Sequence, residues 1–226
     1  METLDPNNNM IVESALNISP ANKDDFLEQV MEVERSAWPP ELQASKSKFE
    51  SRFNIFPQGF FVVRLDGKIK GVTTSQLTQY DPSLAHTWDE ITDGGMIKET
   101  HGRRIFWQTS ADDLYVVSVG VAADAQGRGV GGKLVQAQLE LAKKLKSGYL
   151  FLGARAPGYD PYCKEHGEIS IEEYLKLKND DGDTLDPEIR FYERQGLRPA
   201  KIIPNFEPDP QSRDFGVVMV WENPQK

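Results

Sequence analysis

Apolar residues along the chain follow helical spacing in some segments and strand spacing in others. Residues 11–16 predict a short strand, and Ser19-Pro20 predicts a helix start because proline suits the first helical turn. Pro39-Pro40 ends this helix. A second short helix follows, with Phe49 and Phe53 on one side. The apolar face of the first helix consists of Phe26, Leu27, Val30 and Met31.

A hairpin and a long aperiodic segment come next. Residues 60–65 have the β-branched and aromatic composition of a strand, and Asp66-Gly67 is a two-residue turn that hairpins favour. Residues 69–77 then predict the partner strand. From 80 to 110 no clear periodicity remains, which predicts a long insertion of a kind that often carries function.

The middle of the chain has the pattern strand, glycine-rich loop, helix, strand. Residues 114–121 are a nearly continuous β-branched run, typical of a strand that is buried on both faces. Glycines are concentrated at 126–132, after which an amphipathic helix runs to about Lys146 and a strand covers 149–154. Such a unit places two parallel strands side by side. The apolar stripe predicted for the helix is Leu134, Val135, Leu141, Ala142 and Leu145.

A second insertion, at 157–185, precedes the last elements and contains a predicted small helix at 171–178. Asp186-Pro187-Glu188 then predicts a helix start, and Gly196 its end. Closing strands are predicted at 201–203 and 215–221. The pattern predicts one α/β domain over residues 1–226, with a mixed central β-sheet flanked by helices and two long loop insertions, at 80–110 and 157–185.

Composition narrows the function classes. Of 226 residues, 38% are hydrophobic and 27% charged, which is ordinary for a globular protein. The net charge of −9 and a pI near 4.9 argue against nucleic-acid or anionic-membrane partners, because phosphate recognition needs clustered lysines and arginines. No apolar run approaches the roughly 20 residues of a membrane helix. The first ten residues lack a signal-peptide core, so we expect a cytoplasmic protein.

The cysteine content of the chain also favours a cytoplasmic location. Cys163 is the single cysteine, so the chain forms no internal disulfide and a reducing compartment is indicated. Cys163 and His166 have a spacing seen in metal sites, but only His86 and His101 remain as further soft ligands. We therefore expect no metal.

The glycine-rich loop fits two nucleotide-binding patterns incompletely. Gly127, Gly129 and Gly132 match the dinucleotide fingerprint, but that motif needs its first glycine directly after the strand, and residues 122–126 intervene. Arg155, rather than an acid, ends the next strand, which leaves room only for a phosphorylated cofactor.

The phosphate-binding loop of nucleoside triphosphatases is the second such pattern. Residues 127–133 fit its spacing, but Leu134 occupies the position of the Ser or Thr that binds magnesium. A nucleotide-binding protein therefore remains a weaker alternative.

A third pattern consists of Gln126, Gly129 and Gly131 after a strand and at the start of a helix. The runs Val119-Gly120-Val121-Ala122-Ala123-Asp124 and Gln126-Gly127-Arg128-Gly129-Val130-Gly131 resemble the GNAT superfamily of N-acetyltransferases. A second motif of that family, a helix that ends in Phe-Tyr before a glycine, is similar to Phe191-Tyr192-Glu193-Arg194-Gln195-Gly196-Leu197. The resemblance covers about residues 58–222.

The sequence also departs from the family pattern. Ala123 stands where many members have proline, and Leu185 and Glu188 stand where Asn and Ala are often found. Both insertions are longer than a minimal member needs. These differences concern the acceptor side more than the cofactor.

The resemblance implies that acetyl-CoA is bound as cosubstrate at the loop. Glycines let the main chain approach a pyrophosphate closely, and the helix N-terminus adds partial positive charge. Gln126 and Arg128 can add side-chain donors. The predicted cofactor-binding residues are Val119, Gly120, Val121, Gln126, Gly127, Arg128, Gly129, Val130, Gly131 and Gly132.

The resemblance also implies that an amine attacks the thioester directly, so that the enzyme orients both substrates and moves two protons. Main-chain groups of Val119 and Val121 would align the pantetheine arm, and Tyr192 is the predicted catalytic acid, with simple packing as its other role. Asp112 or Asp113 is a candidate base, and a solvated strand entrance is the alternative.

The acceptor is a small-molecule or peptide amine of unspecified identity. Aromatic residues of the two insertions are candidates for its pocket: Tyr80, Trp88, Trp107, Tyr159 and Tyr162. The alternative to an enzyme is a non-catalytic acyl-CoA-binding or sensing module. Sequence does not specify the oligomeric state.

Overall fold

The computed structural model describes residues 10–97 and 113–225, which form one seven-stranded mixed sheet with helices on both faces. The strands are β1 Met10–Ser14, β2 Phe61–Leu65, β3 Lys68–Thr78, β4 Asp113–Val121, β5 Tyr149–Ala154, β6 Arg198–Ile203 and β7 Gly216–Glu222. The helices are α1 Lys23–Ala37, α2 Lys46–Ile55, α3 Trp88–Thr92, α4 Val130–Leu145, α5 Tyr159–His166, α6 Ile171–Tyr174 and α7 Pro187–Arg194. The predicted fold class is confirmed.

Strand order is β1-β2-β3-β4-β5-β7-β6, and β4–β5 is the parallel pair. The predicted parallel arrangement of these two strands is confirmed, but their ladder consists of two residue pairs, Leu114–Leu150 and Tyr115–Phe151. Beyond these pairs β4 continues alongside β3, and β5 alongside β7. The two strands therefore diverge and leave a gap between their C-terminal halves.

A β-bulge bends β4 where the gap opens. Thr74 lies opposite Ser118 and Ser75 opposite Val116, so Val117 is an additional residue on β4. The Val117 carbonyl accepts a hydrogen bond from the Trp88 indole at 3.0 Å, so a side chain from α3 satisfies the carbonyl of this bulged residue.

The two faces of the sheet carry different helices. Gly71 and Gly120 lie in adjacent residue pairs of the β3–β4 ladder and therefore point to opposite faces. A Cβ at Gly71 would lie 2.5 Å from Val130, so that face carries α4. A Cβ at Gly120 would lie 3.3 Å from the Trp38 indole, so the other face carries α1. We call these the α4 face and the α1 face.

Most element positions agree with the sequence prediction, with shifts at the ends. The first strand stops at Ser14 before a 3-10 turn, Ala15–Asn17. Ser19-Pro20 begins a second 3-10 turn, and α1 starts only at Lys23. Leu145 was predicted on the apolar stripe of α4 but is 37% exposed, because the helix extends past the sheet.

The prediction missed two helices in the insertions. The first insertion contains α3, which opens with a capping box of Thr87 and Glu90, a T-x-x-E signal that the sequence does carry. The second contains α5 in addition to α6, which is shorter than expected. A small apolar cluster supports the second insertion: Ala156, Tyr159, Cys163, Ile171 and Tyr174.

No helix within residues 10–97 and 113–225 is long and apolar enough to cross a membrane.

The side chain of Asp113 joins the start of β4 to its surroundings. It is 6% exposed and accepts hydrogen bonds from the backbone N–H groups of Tyr80 and Tyr149, both at 2.9 Å. Asp113 thus binds the backbone just after β3 and at the start of β5, the two strands next to β4. It does so at the opposite end of β4 from the gap. The sequence-based suggestions of a catalytic base or a solvated strand entrance are both wrong for this residue, because it is buried and bound to backbone.

Replacing Asp113 with Ala leaves two buried N–H donors without an acceptor and should lower the free energy of unfolding by about 1–3 kcal/mol. Urea unfolding checks this. Asp113→Asn keeps one acceptor oxygen, so its unfolding midpoint should lie between those of Asp113→Ala and the unmodified protein. Asp180→Ala, on an exposed turn, is the control and should leave the midpoint unchanged. Equal midpoints for Asp113→Ala and the unmodified protein would contradict the assigned role.

Candidate functional site

A cavity of about 270 Å³, the gap cavity, lies where β4 and β5 diverge. It is lined from the α1 face by Trp38, Arg52 and Trp88, and from the other side by Glu188 and Tyr192 of α7. Helix α7 belongs to the α4 face, since Phe191 packs against the start of α4. Elements from both faces of the sheet therefore line this cavity.

The glycine-rich loop follows β4 on the rim of this gap. A 3-10 turn, Ala123–Ala125, separates the strand from the loop, as the sequence spacing required. Gly127 and Gly129 have φ of +73° and +85°, values that residues with a side chain rarely adopt. The N–H of Lys133 is the first in α4 to reach a carbonyl, that of Gly129 at 3.1 Å. The preceding N–H groups of the helix start are free to bind an anion.

The other residues predicted at the loop have different surroundings. Gln126 and Arg128 are exposed, and the Gln126 amide donates to the Val121 carbonyl at 3.3 Å. Val119 lines the gap cavity. Val130 is buried.

The remaining glycines allow close packing. Gly131 lies next to the Phe191 ring, which would be 3.2 Å from a Cβ at that position. Gly132 faces Gln195, and Gly120 lies under the Trp38 indole. These contacts bring α4, α7 and α1 close to the rim of the gap.

Arg155 does not offer a phosphate site. Its guanidinium donates to the Asp209 carboxylate at 2.8 and 3.0 Å and to Gln211 at 2.7 Å. This bidentate ion pair anchors the β6–β7 loop to the end of β5. Arg155 is therefore not available to bind the extra phosphate of a phosphorylated dinucleotide, and the structure does not support that interpretation.

Tyr192 and Glu188 lie one turn apart on α7 and both line the gap cavity. Tyr192 is 7% exposed. Burial raises the pKa of its phenol well above the usual value, and the nearby Glu188 charge raises it further. The phenol therefore remains protonated at neutral pH and can donate a proton or a hydrogen bond.

Glu188 is positioned by the start of α7. Asp186 caps the helix and accepts from the N–H groups of Glu188 and Ile189 at 3.0 and 3.1 Å. The Glu188 carboxylate accepts from the Arg155 N–H at 3.1 Å. Burial raises the pKa of Glu188 to about 8, against the opposing effect of Arg155. Sequence reasoning noted this residue only as a departure from a family pattern and missed its place in the cavity.

Glu207, in the β6–β7 loop, is a second acid of the gap cavity. Burial raises its pKa to about 7, Arg155 lowers it, and the charges of Asp209 and Asp89 raise it. No local pattern marks Glu207, so the sequence carried no signal for it.

Arg52 forms the buried wall on the α1 face. It is 1% exposed and donates to the Gly95 carbonyl at 2.8 Å and to the hydroxyls of Thr74 and Ser118 at 3.3 and 3.2 Å. Burial lowers its pKa to about 10, and Glu34 opposes that shift. The guanidinium is charged at neutral pH and links α2 to β3 and β4.

The aromatic candidates divide between two regions. Trp88 lines the gap cavity, and Tyr80 lines an adjoining cavity of about 290 Å³. Tyr159 and Tyr162 instead pack within the second insertion. Trp107 and the candidate base Asp112 lie outside the described residues.

The Cys163–His166 pair does not form a metal site with its neighbours. Cys163 is buried, and the His166 ring stacks on Tyr162 with centroids 4.3 Å apart. In the part of the chain that the structure describes, no group of three or more metal-binding side chains comes together.

Comparison with known proteins adds to this picture. The model of the acetyltransferase (GNAT) family matches residues 25–161. A protein of Bacillus subtilis (strain 168) named "Uncharacterized N-acetyltransferase YkwB" is 31% identical over 204 residues, which are 87% of this chain and 84% of that protein.

Solved structures share the fold. The GNAT-like decarboxylase GphF, in complex with isobutyryl-CoA, aligns with a TM-score of 0.74 at 21% identity and covers 94% of this chain and 98% of its own. An aminoglycoside 6'-N-acetyltransferase in complex with coenzyme A aligns with a TM-score of 0.56 at 14% identity over 94% of this chain and 96% of its own. At these identities the likeness concerns the fold alone.

Proposed function

The chain belongs to the acetyltransferase (GNAT) family and is therefore an acyl-CoA-dependent acyltransferase, and we propose that it transfers an acetyl group from acetyl-CoA to a primary amine of a small molecule or peptide. The observation that carries the proposal is the gap cavity. It is lined by elements from both faces of the sheet, has a helix start with free N–H groups on its rim, and is lined by an acid and a base candidate one helical turn apart.

In this proposal the glycine-rich loop binds the pyrophosphate of the cosubstrate. Free N–H groups at the start of α4 meet the anion, and the helix dipole adds to the attraction. Gln126 and Arg128 supply donors from the exposed side, and Val119 and Val121 align the pantetheine arm with their main-chain groups. The remaining members of the proposed site are Gly120, Gly127, Gly129, Val130, Gly131 and Gly132.

The chemistry needs two proton transfers. The amine nitrogen bonds to the acyl carbon, the carbon–sulfur bond breaks, and the proton lost by the amine goes to Glu188. Tyr192 donates a proton to the leaving sulfur. Both side chains line the same cavity; the raised pKa of Glu188 suits a base near neutrality, and the raised pKa of Tyr192 keeps the phenol protonated before the reaction.

The name of the GphF neighbour raises a second reaction, removal of CO₂ from a carboxylated acyl group. The charge of this cavity favours the amine instead. Five acidic and three basic side chains line it, and this balance is less suited to a further carboxylate than to a positively charged group. Non-catalytic acyl-CoA binding is the remaining alternative, and turnover distinguishes it.

Calorimetric titration with acetyl-CoA, coenzyme A, ATP and NADPH tests the cosubstrate. We expect micromolar binding of acetyl-CoA and none of ATP or NADPH, followed by thiol release when amines are added. Binding without thiol release from any amine would favour a sensing module. ATP or NADPH binding in place of acetyl-CoA would overturn the proposal.

Tyr192→Phe removes the proposed acid but keeps the ring. Turnover should fall by about 100-fold or more, since a positioned acid contributes at least that much, while the Kd for acetyl-CoA stays the same. Tyr162→Phe, in the second insertion, is the matched control and should retain turnover. If Tyr192→Phe turns over normally, the phenol only packs.

Glu188→Gln tests the base. A base acts in its deprotonated form, so the rate of the unmodified enzyme should rise as pH increases through about 8, the pKa of this carboxyl. The variant should lose about 100-fold or more in rate and lack this rise. Glu193→Gln, the same charge change on α7, should keep the profile. A rise of equal size in Glu188→Gln would instead assign it to the amine substrate.

A further inference from the structure

The cavity of about 290 Å³ beside the gap cavity, the adjoining cavity, differs from it in character. Its ionisable lining residues other than tyrosines are Asp81 and His86, whereas five carboxylates and three cations line the gap cavity. The Asp81 carboxylate accepts from the N–H and hydroxyl of Ser83 at 2.8 and 2.6 Å. Apolar and aromatic side chains form most of the lining, among them Tyr80, Leu84, Tyr115, Phe151, Phe206 and Val218. The adjoining cavity therefore suits an apolar group.

Gly153 of β5 joins the two cavities, because it lines both. The Phe206 ring rests on Gly153, where an added Cβ would lie 2.0 Å from the ring. Phe206 lines the adjoining cavity, and the next residue, Glu207, lines the gap cavity. Val218 lies opposite Gly153 in the β5–β7 ladder, so both face the same side of the sheet. Val218 lines the adjoining cavity but not the gap cavity.

Aromatic rings in mutual contact form one wall of the adjoining cavity. The centroid of the Tyr80 ring lies 4.9 Å from that of Tyr149 and 5.0 Å from that of Phe151. The Tyr115 ring lies 5.1 Å from Phe151 at a steep angle. Tilted and edge-on contacts of this kind are favourable between aromatic rings. A ring-sized apolar ligand group would add a further contact to this set.

The first insertion is attached to the sheet on two sides of the adjoining cavity. The Lys201 ammonium of β6 donates to the carbonyls of Ser83 and Leu84, both at 3.3 Å. The backbone N–H of Trp88 donates to the Phe206 carbonyl at 3.0 Å. Leu84 lines the cavity and is nevertheless 52% exposed. The cavity is thus framed by attached segments, and Leu84 lies on its open side.

We propose that the adjoining cavity binds an apolar, ring-sized group of the acceptor, so that the substrate is an amine with a bulky apolar substituent. The inference rests on the proposed function, because the reacting nitrogen is the one that meets Glu188 in the gap cavity. Burial of the substituent stabilises the complex in proportion to the apolar area removed from water. Val218 and Leu84 determine specificity in this arrangement and take no part in the proton transfers.

The test compares phenylalkylamines, with one to four methylenes between ring and nitrogen, against n-propylamine in the thiol-release assay. The unmodified enzyme should prefer the best phenylalkylamine by about 10-fold or more in kcat/KM, as expected for the burial of one ring. Cyclohexyl analogues distinguish an aromatic from a saturated occupant, and a preference for either over n-propylamine supports the inference.

Two variants locate the preference. Val218→Phe fills the adjoining cavity and should abolish the preference by raising KM for the ring-bearing amines. Val12→Phe, the same enlargement on the exposed edge strand β1, is its control and should keep the preference. Leu84→Ala removes apolar area from the open side and should weaken the preference by about 3-fold or more. Leu16→Ala, at a similarly exposed position, should leave it unchanged.

Absence of the preference in the unmodified enzyme, or its persistence in Val218→Phe, would overturn the inference while leaving acetyl transfer intact. If Val218→Phe does not fold, the exposed variant Leu84→Ala decides, and an undiminished preference there counts against the inference.

Direct binding separates this inference from the proposed function. Calorimetric titration with the same phenylalkylamines and with n-propylamine needs no acyl donor. If no amine releases thiol, the proposed function fails, and the adjoining cavity is then decided by binding alone. Binding of a phenylalkylamine that weakens about 10-fold or more in Val218→Phe supports the inference, and equal or absent binding overturns it.

Discussion

The divergence of β4 and β5 is the constraint on which the rest of the site depends. Parallel pairing over two residue pairs holds the strands together at one end, and beyond it each strand is satisfied by its other neighbour. A sheet buried between helices normally closes such a gap, since unpaired backbone groups are costly to bury. Here the Trp88 indole of α3 donates a hydrogen bond to the Val117 carbonyl at the bulge and so satisfies one of these backbone groups. The gap between β4 and β5 is thus built into the strand pairing.

The cavity combines this opening with an electrostatic conflict. Glu188 and Glu207 are largely withdrawn from water, and Arg155, which forms its ion pair with Asp209, opposes the effect of burial on their pKa values only in part. Burial therefore favours their neutral forms and raises both pKa values toward neutrality. A positively charged ligand in the cavity would favour the ionised carboxylates and lower both pKa values. The same desolvation keeps the Tyr192 phenol protonated, so one physical cause acts on both the proposed acid and the proposed base.

The first insertion supplies residues that line the gap cavity, and the second precedes and positions α7, which also lines it. Helix α3 supplies Trp88 and Asp89 to the cavity, and the backbone N–H of Trp88 donates a hydrogen bond to the Phe206 carbonyl. The second insertion builds its own apolar cluster, and the Asp186 cap at its end sets the position of α7. Arg155 and Asp209 then tie the β6–β7 loop to β5. This part of the cavity wall is in this way assembled from the first insertion, α7 and the β6–β7 loop.

The sequence by itself determined most of the elements, because helix caps, turns and apolar periodicity act over a few residues. Asp186-Pro187 starts α7, Asp66-Gly67 turns the hairpin, and the loop at 126–132 opens α4. Tyr192 could be singled out for the same reason, since its motif lies on one helix. Glu188 and Glu207 could not, because their pKa values depend on burial among residues distant along the chain. Only the tertiary structure decided where β4 and β5 diverge, which carboxyl groups are buried and which residues face one another, since strand divergence and desolvation arise from packing between segments that no local pattern relates.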